Sequence, residues 1–217
     1  MSTSGTYTFS MDIDEVIQEA SEMIGGEQTL GHEPKSALQD WQNRGVMLWT
    51  AETSVFNVSV STTTYDLASS SIDILEAVVN RDDTDIQLER ISMQEYLKIP
   101  SKGQTGRPTQ FAVRNGRDKP TVYLWPVPEN STDKVKVELI RYIQDVNKSA
   151  VQTADISRKF LPCLTAGLAY HMGLKRPGVD LARINLIKAE YEERLGRALD
   201  EDRERVSLYL RPKLNIY

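Results

Sequence analysis

The hydrophobic period of this chain changes twice along its length. Residues 12–25 place Ile13, Val16, Ile17, Ala20 and Ile24 at helical spacing. Asp12 with Glu15 reads as a capping box, and Gly25-Gly26 as a stop. After a polar loop, Pro34 stands where a first helical residue belongs. Leu38, Trp41, Gly45 and Leu48 then share one stripe, with Trp49 beside it. The pattern predicts two short helices packed as an antiparallel pair.

From about Ser54 the period is two. Phe56, Val58 and Val60 alternate with polar residues, as in a half-buried strand. Turn-like breaks follow at Ser61–Thr64 and Ser69–Ser71, Ile86 and Leu88 alternate again, and residues 92–98 (SMQEYLK) predict one helical turn. Phe111 with Val113 and Val122 with Leu124 predict two strands around Asn115-Gly116, and Val135, Val137 and Leu139 predict another. Many short strands without a long helix between them predict an antiparallel sandwich or barrel.

Near Asp155 the helical period returns. Pro162 opens a helix carrying Leu164, Leu168 and Met172 among small residues, which Pro177-Gly178 breaks. A long helix is expected from about Val179 to Val206, with an apolar stripe of Leu181, Ile184, Ile187, Tyr191, Leu195 and Ala198. Glu190-Arg194, Glu193-Arg197 and Glu201-Arg205 add pairs four residues apart. The predicted fold is α+β: a discontinuous helical bundle of residues 11–52 and 153–206, two helices from each end of the chain, with a β module at 53–152 inserted. An extended arm at 207–217 closes the chain, and the two helical hairpins are expected to pack together because neither can bury a core alone.

Composition removes many functions. The 217 residues carry 26 Lys and Arg against 31 Asp and Glu, a net charge of −5, whereas proteins that grip nucleic acid are usually basic. With one cysteine and two histidines there is no intramolecular disulfide and no zinc cluster. The first fifteen residues lack the basic and apolar regions of a secretory signal, and the longest apolar stretch, Leu161–Leu174, is shorter than the roughly 20 residues of a membrane span. A soluble, reducing, intracellular setting is expected, with no membrane partner.

Candidate chemistry is thin. Cys163 and His171 lie eight residues apart on one helix, a separation of roughly 12 Å that forbids a direct hydrogen bond. Cys163 is read as a small core residue, and His171 and His32 as edge and surface residues. Asp82-Asp83-Thr84-Asp85 lacks the spaced ligands of a calcium loop and reads as a solvated turn. The run 200–205 reads as a solvated helical face, and Gly103 and Gly106 as a mobile loop. No enzyme, cofactor or metal is expected. Against this stands the tail, where Leu208, Tyr209, Leu210, Leu214, Ile216 and Tyr217 are too apolar for a solvated end, which favours an arm docked on a partner over one folded onto its own subunit.

Several segments together resemble a known family: TVYLWPVPEN at 121–130 leading into KVKVELIRYI, DISRKFLPCLTAGLAYHMGLK at 155–175, AEYEERLGRALDEDRER at 189–205 and ALQDWQNR at 37–44. The ordered set resembles the head-to-tail adaptor (connector) proteins of tailed bacteriophages, of the tail tubular A and tail accessory factor type. The resemblance implies a structural virion protein of the neck, assembled in the host cytoplasm. It would form a homo-oligomeric ring, usually of twelve copies, between the portal ring and a tail nozzle or tube protein. Genomic DNA would be ejected through the ring without specific binding.

Carried onto this sequence, the portal contacts would be Leu208, Tyr209, Leu210, Arg211, Leu214, Ile216 and Tyr217, and the subunit contacts Arg194, Arg197, Glu201 and Arg205. Two alternatives remain, another neck or tail-completion protein, and a ligand- or carbohydrate-binding β module on a helical stalk. The second requires Tyr123, Trp125 and Tyr142 to be exposed together.

Overall fold

A computed structural model describes residues 13–26, 33–44, 48–144 and 154–202, with side chains in the second helix described at 37–41 and 43. The fold is α+β, with N- and C-terminal helices flanking a β module. Two compact units emerge, one holding the first helix and the last two, the other holding the strands; the division falls within the second helix, after Ala37.

Helix α1 spans Ile13–Met23 and buries Ile13, Val16, Ile17 and Ala20. It ends at Gly25, whose φ of +72° suits a residue without a Cβ. The Gly25 N–H donates to Glu22 O at 3.0 Å and the Gly26 N–H to Ser21 O at 3.2 Å, the paired bonds of a Schellman cap. Asp12, the first half of the expected capping box, lies outside the described residues. Helix α2 spans Glu33–Arg44 and is followed by a short 3-10 turn, Leu48–Thr50. Of the expected stripe, Leu38 and Trp41 are buried, Gly45 lies outside the described residues, and Leu48 is exposed instead of sharing their face.

Ten strands follow. The first sheet has the order β1–β10–β3–β4, from β1 (Ala51–Asn57), β10 (Lys134–Arg141), β3 (Ser71–Arg81) and β4 (Thr84–Gln87), every pair antiparallel. The second has the order β2–β8–β7–β5, from β2 (Thr64–Asp66), β8 (Pro120–Trp125), β7 (Gln110–Asn115) and β5 (Glu89–Arg90). Here β5 runs parallel to β7, and a small pair, β6 (Thr105–Gly106) with β9 (Val127–Pro128), is also parallel. The sheets are thus mixed where alternation alone suggested antiparallel pairing throughout, because strands of two residues carry no readable period.

Ile74, Ala77, Val79, Val135, Val137 and Leu139 from the first sheet meet Phe111, Val122 and Leu124 from the second in one core. Register shifts along β3 against β10 let both Leu139 and Ile140 be buried, and they leave Leu75 outside. Val60, expected inside, is exposed, since β1 ends at Asn57 and the chain turns at Ser61, φ +63°. Between the sheets' strands, α3 (Met93–Lys98) starts with a capping box: the Glu95 N–H donates to Ser92 Oγ at 3.1 Å and the Ser92 N–H to Glu95 Oε2 at 2.7 Å.

Helix α4 (Leu161–Lys175) packs on α1 and on α5 (Leu181–Glu201). Their shared core holds Leu164, Leu168, Ile187, Tyr191 and Leu195. Leu181, expected in that stripe, is 69% exposed. It sits in the first turn of α5, about 80° around the helix from the centre of the buried face at 100° per residue.

Candidate assembly surfaces

The outer surface of α5 is fixed at both ends. Asp180 caps its start by accepting from the Ala182 N–H at 3.3 Å. In the same turn Arg183 Nε donates to Met23 O at 2.8 Å, satisfying a carbonyl at the end of α1. At the far end the Asp202 N–H donates to Ala198 O at 3.0 Å, and the Asp202 carboxylate, 5% exposed, lies 2.6 Å from Lys159 Nζ. The point from which the C-terminal segment departs is therefore held against the turn that precedes α4.

Of the expected subunit contacts, Arg194 is partly committed within the chain. Its guanidinium pairs with Glu190 and donates from Nη1 to Pro162 O at 3.2 Å. Arg197 pairs with Glu193 four residues back, and both stand in solvent, 76% and 62% exposed. Glu201 is exposed. Arg205 and the expected portal contacts, Leu208, Tyr209, Leu210, Arg211, Leu214, Ile216 and Tyr217, lie outside the described residues. Sequence periodicity missed three leucines, Leu174, Leu181 and Leu186, which are 56%, 69% and 71% exposed around the α4–α5 turn. Leu186 had a usable signal, since it falls on the face opposite Ile184, Ile187 and Tyr191.

The β unit does not bring the three named aromatic residues together. Tyr123 packs its ring on Tyr96, centroids 5.2 Å apart. Trp125 donates from Nε1 to Ser101 O at 3.1 Å. Tyr142 lies beyond the end of β10, in the other sheet, and is 48% exposed. The glycine-containing loop at 101–108 is pinned where a mobile loop was expected. Gly106 pairs with Pro128, and Lys102 Nζ donates to Leu97 O and Ile99 O at 2.9 and 3.0 Å.

The polar clusters have structural partners. Asp82 and Asp83 adopt φ of +51° and +59° as the two central residues of the β3–β4 hairpin. Asp85 faces Lys136 at 2.9 Å, which holds its carboxyl below the usual range. Asp133, 1% exposed, takes a two-pronged bond from Arg81, whose Nη1 also reaches Glu129 at 2.8 Å. Arg141 bonds Asp155 and approaches Glu52 at 3.5 Å, while the Gln144 N–H and Trp49 Nε1 reach the same Asp155 from two further points. Cys163 is buried, and burial pushes its thiol up to about 11. Among the described residues no group of three His, Cys, Asp or Glu could hold a metal ion, and no helix is long and apolar enough to cross a membrane.

What the geometry offers is surface for assembly: a charged outer helix face, exposed leucines at one helical turn, and an edge strand, β1, with a side open to solvent among the described residues. No curated protein matches the chain. The sequence model of the SU10 adaptor protein family matches residues 11–213, through both helical segments and the whole β unit. The chain belongs to the SU10 adaptor protein family, and is a structural adaptor of the bacteriophage head–tail kind.

Proposed function

We propose that this adaptor is of the tail tubular A or tail accessory factor type, forming a homo-oligomeric ring, of twelve copies, between portal and tail in the virion. The observation that carries the reading is the family match across helices, β unit and helices in one order. Net charge supports it: at −5 per subunit the ring makes few phosphate contacts, so DNA slides through the channel without being held. The same charge makes neighbouring subunits repel, so contacts of both signs must close the ring. Glu193, Arg197 and Glu201 on α5, with Arg205, supply them, and Arg194 contributes mainly to its own subunit through Pro162. A closed ring needs two different faces on each subunit.

The C-terminal segment is the portal contact in this reading. Asp202 anchors its origin to Lys159, and Leu208, Tyr209, Leu210, Leu214, Ile216 and Tyr217 provide apolar anchors beyond, with Arg211 adding a charge among them. Electron microscopy of the protein mixed with its cognate portal tests the proposal. A capping ring is expected with the full chain and none after deletion of Leu208–Tyr217, with the thermal unfolding of the deleted protein unchanged. A full-length protein that leaves the portal bare overturns the adaptor assignment, and portal binding by the deleted chain overturns the arm.

A further inference from the structure

The first sheet ends in an edge that nothing among the described residues covers. Strand β1 is the longest edge strand of the β unit, seven residues against four in β4, three in β2 and two in β5. It pairs with β10 along one side only, in unbroken register from Ala51 to Asn57, so half of its backbone N–H and C=O groups point away from the sheet. Edges of this length are normally blunted by prolines, bulges or several charges. This one, AETSVFN, has no proline, no bulge and one charged residue, Glu52.

The two faces of β1 define what an added strand must carry. From Thr53 to Asn57, exposed residues alternate with half-buried ones: Thr53, Val55 and Asn57 stand in solvent, with Val55 52% exposed, and Ser54 and Phe56 lie on the inner face. The Phe56 ring stacks on Tyr65, centroids 5.2 Å apart, and both are only partly buried against the sandwich core. A strand laid beside β1 therefore needs apolar side chains on its inner face, to cover that pair, and polar ones on its outer face.

The chain itself contains such a segment. Residues 6–10, Thr-Tyr-Thr-Phe-Ser, alternate with period two, Tyr7 and Phe9 on one face and Thr6, Thr8 and Ser10 on the other. Thr, Tyr and Phe favour strands, and no residue from 1 to 11 has a charged side chain to oppose Glu52. The segment lies outside the described residues. It reaches α1 at Ile13, three positions after Ser10, which holds a strand there within about 10 Å of the start of the helix.

We propose that residues 6–10 of one copy add a strand to the open side of β1 in the neighbouring copy, with Tyr7 and Phe9 beside Phe56 and Tyr65. This rests on the assembly of copies proposed above. It supplies the two different faces that a closed ring requires, a donor segment and an acceptor edge. It does so through backbone hydrogen bonds, which need no charges of opposite sign between subunits that each carry −5.

Cysteine cross-linking between two full-length variants tests it. Chains with cysteine in turn at Thr6, Thr8 and Ser10 are mixed with Val55→Cys chains under mild oxidation; native Cys163 is buried and adds no background. Covalent mixed dimers are expected from at least one of these three outer-face positions, and severalfold fewer from Tyr7→Cys, on the inner face. Absence of mixed dimers, or equal linking from Tyr7→Cys, overturns the proposal. So does equal linking by Val55→Cys alone, which would mean that the edge pairs with its own counterpart. A link formed only within one chain carrying both Thr8→Cys and Val55→Cys overturns the exchange between copies. Electron microscopy of the unaltered chain on the portal separates this reading from the one it rests on. A capping ring without mixed dimers overturns the strand exchange alone, and mixed dimers beside a bare portal overturn the adaptor assignment alone.

Discussion

Gly167 marks the closest approach within the helical unit. A Cβ there would stand 2.8 Å from Tyr191 Cε2, so the ring of α5 rests directly on the backbone of α4. Gly196 is the opposite case, mid-helix in α5 with nothing within 4 Å of the same position. Gly167→Ala is therefore expected to lower stability by about 1–3 kcal/mol through overpacking. Gly196→Ala is expected to raise it by about 1 kcal/mol, the helix-propensity difference. Urea unfolding of the two variants beside the parent reads both. Cys163 belongs to the same small-residue face. With its thiol pushed up to about 11 by burial, native protein at pH 8 should resist iodoacetamide, and protein in denaturant should react fully, as mass spectrometry would show. That Cys163 is packed inside was legible from its small neighbours. Which glycine touched an aromatic ring was not, because the partner lies 24 positions away.

Among the elements, those with several turns or several alternations were readable and the shortest were not. Helices α1 and α5 and strands β8 and β10 each repeat their period, so burial follows the pattern, whereas α4 buries an unbroken run from Cys163 to Ala169 and a register shift interrupts β3. The two-residue strands β5, β6 and β9 are defined by their partners, which no local pattern reveals. The capping box of α3 was written as Ser92-x-x-Glu95, a readable signal. The polar staple after β10 was not readable. There Asp155 joins Arg141, Gln144 and Trp49, gathering segments up to 106 positions apart. Arg141, followed by the Gln144 N–H, holds the Asp155 carboxyl below its usual range, against the opposing effect of burial. A depressed carboxylate stabilises the fold above its unfolded value and loses that contribution as pH falls through its folded one. Asp155→Asn should thus be less stable than the parent at pH 7, with the gap closing below about pH 4. Thermal unfolding across that range checks the sign; a gap that stays constant would show that ionisation of Asp155 is not what secures the staple.

For the whole molecule, the order helices, β unit, helices was legible from the two changes of period. Of the residues proposed for assembly, only their pairs within the chain were legible. Glu190-Arg194 and Glu193-Arg197 pair as their spacing requires, but the bond from Arg194 to Pro162 turns one expected outward contact partly inward. Interfaces are hard to read from one chain because the groups that complete them belong to another copy. If Arg197 closes the ring, Arg197→Glu should leave the monomer's unfolding nearly unchanged, since an exposed helix pair contributes about 0.3–0.5 kcal/mol, while weakening ring formation in sedimentation. Loss of monomer stability without loss of the ring would place the interface elsewhere.

The pairing of β1 with β10 carries a further consequence. Ala51 lies opposite Ile140, so the chain reaches the sandwich and leaves it on adjacent strands of one sheet. To the polypeptide on either side, some ninety residues span no more than a tight hairpin does. Such a module is a graft: it can be enlarged, trimmed or exchanged during descent while the gap its flanking segments must bridge stays the same. Relatives are free to diversify what the sandwich displays without renegotiating the helices.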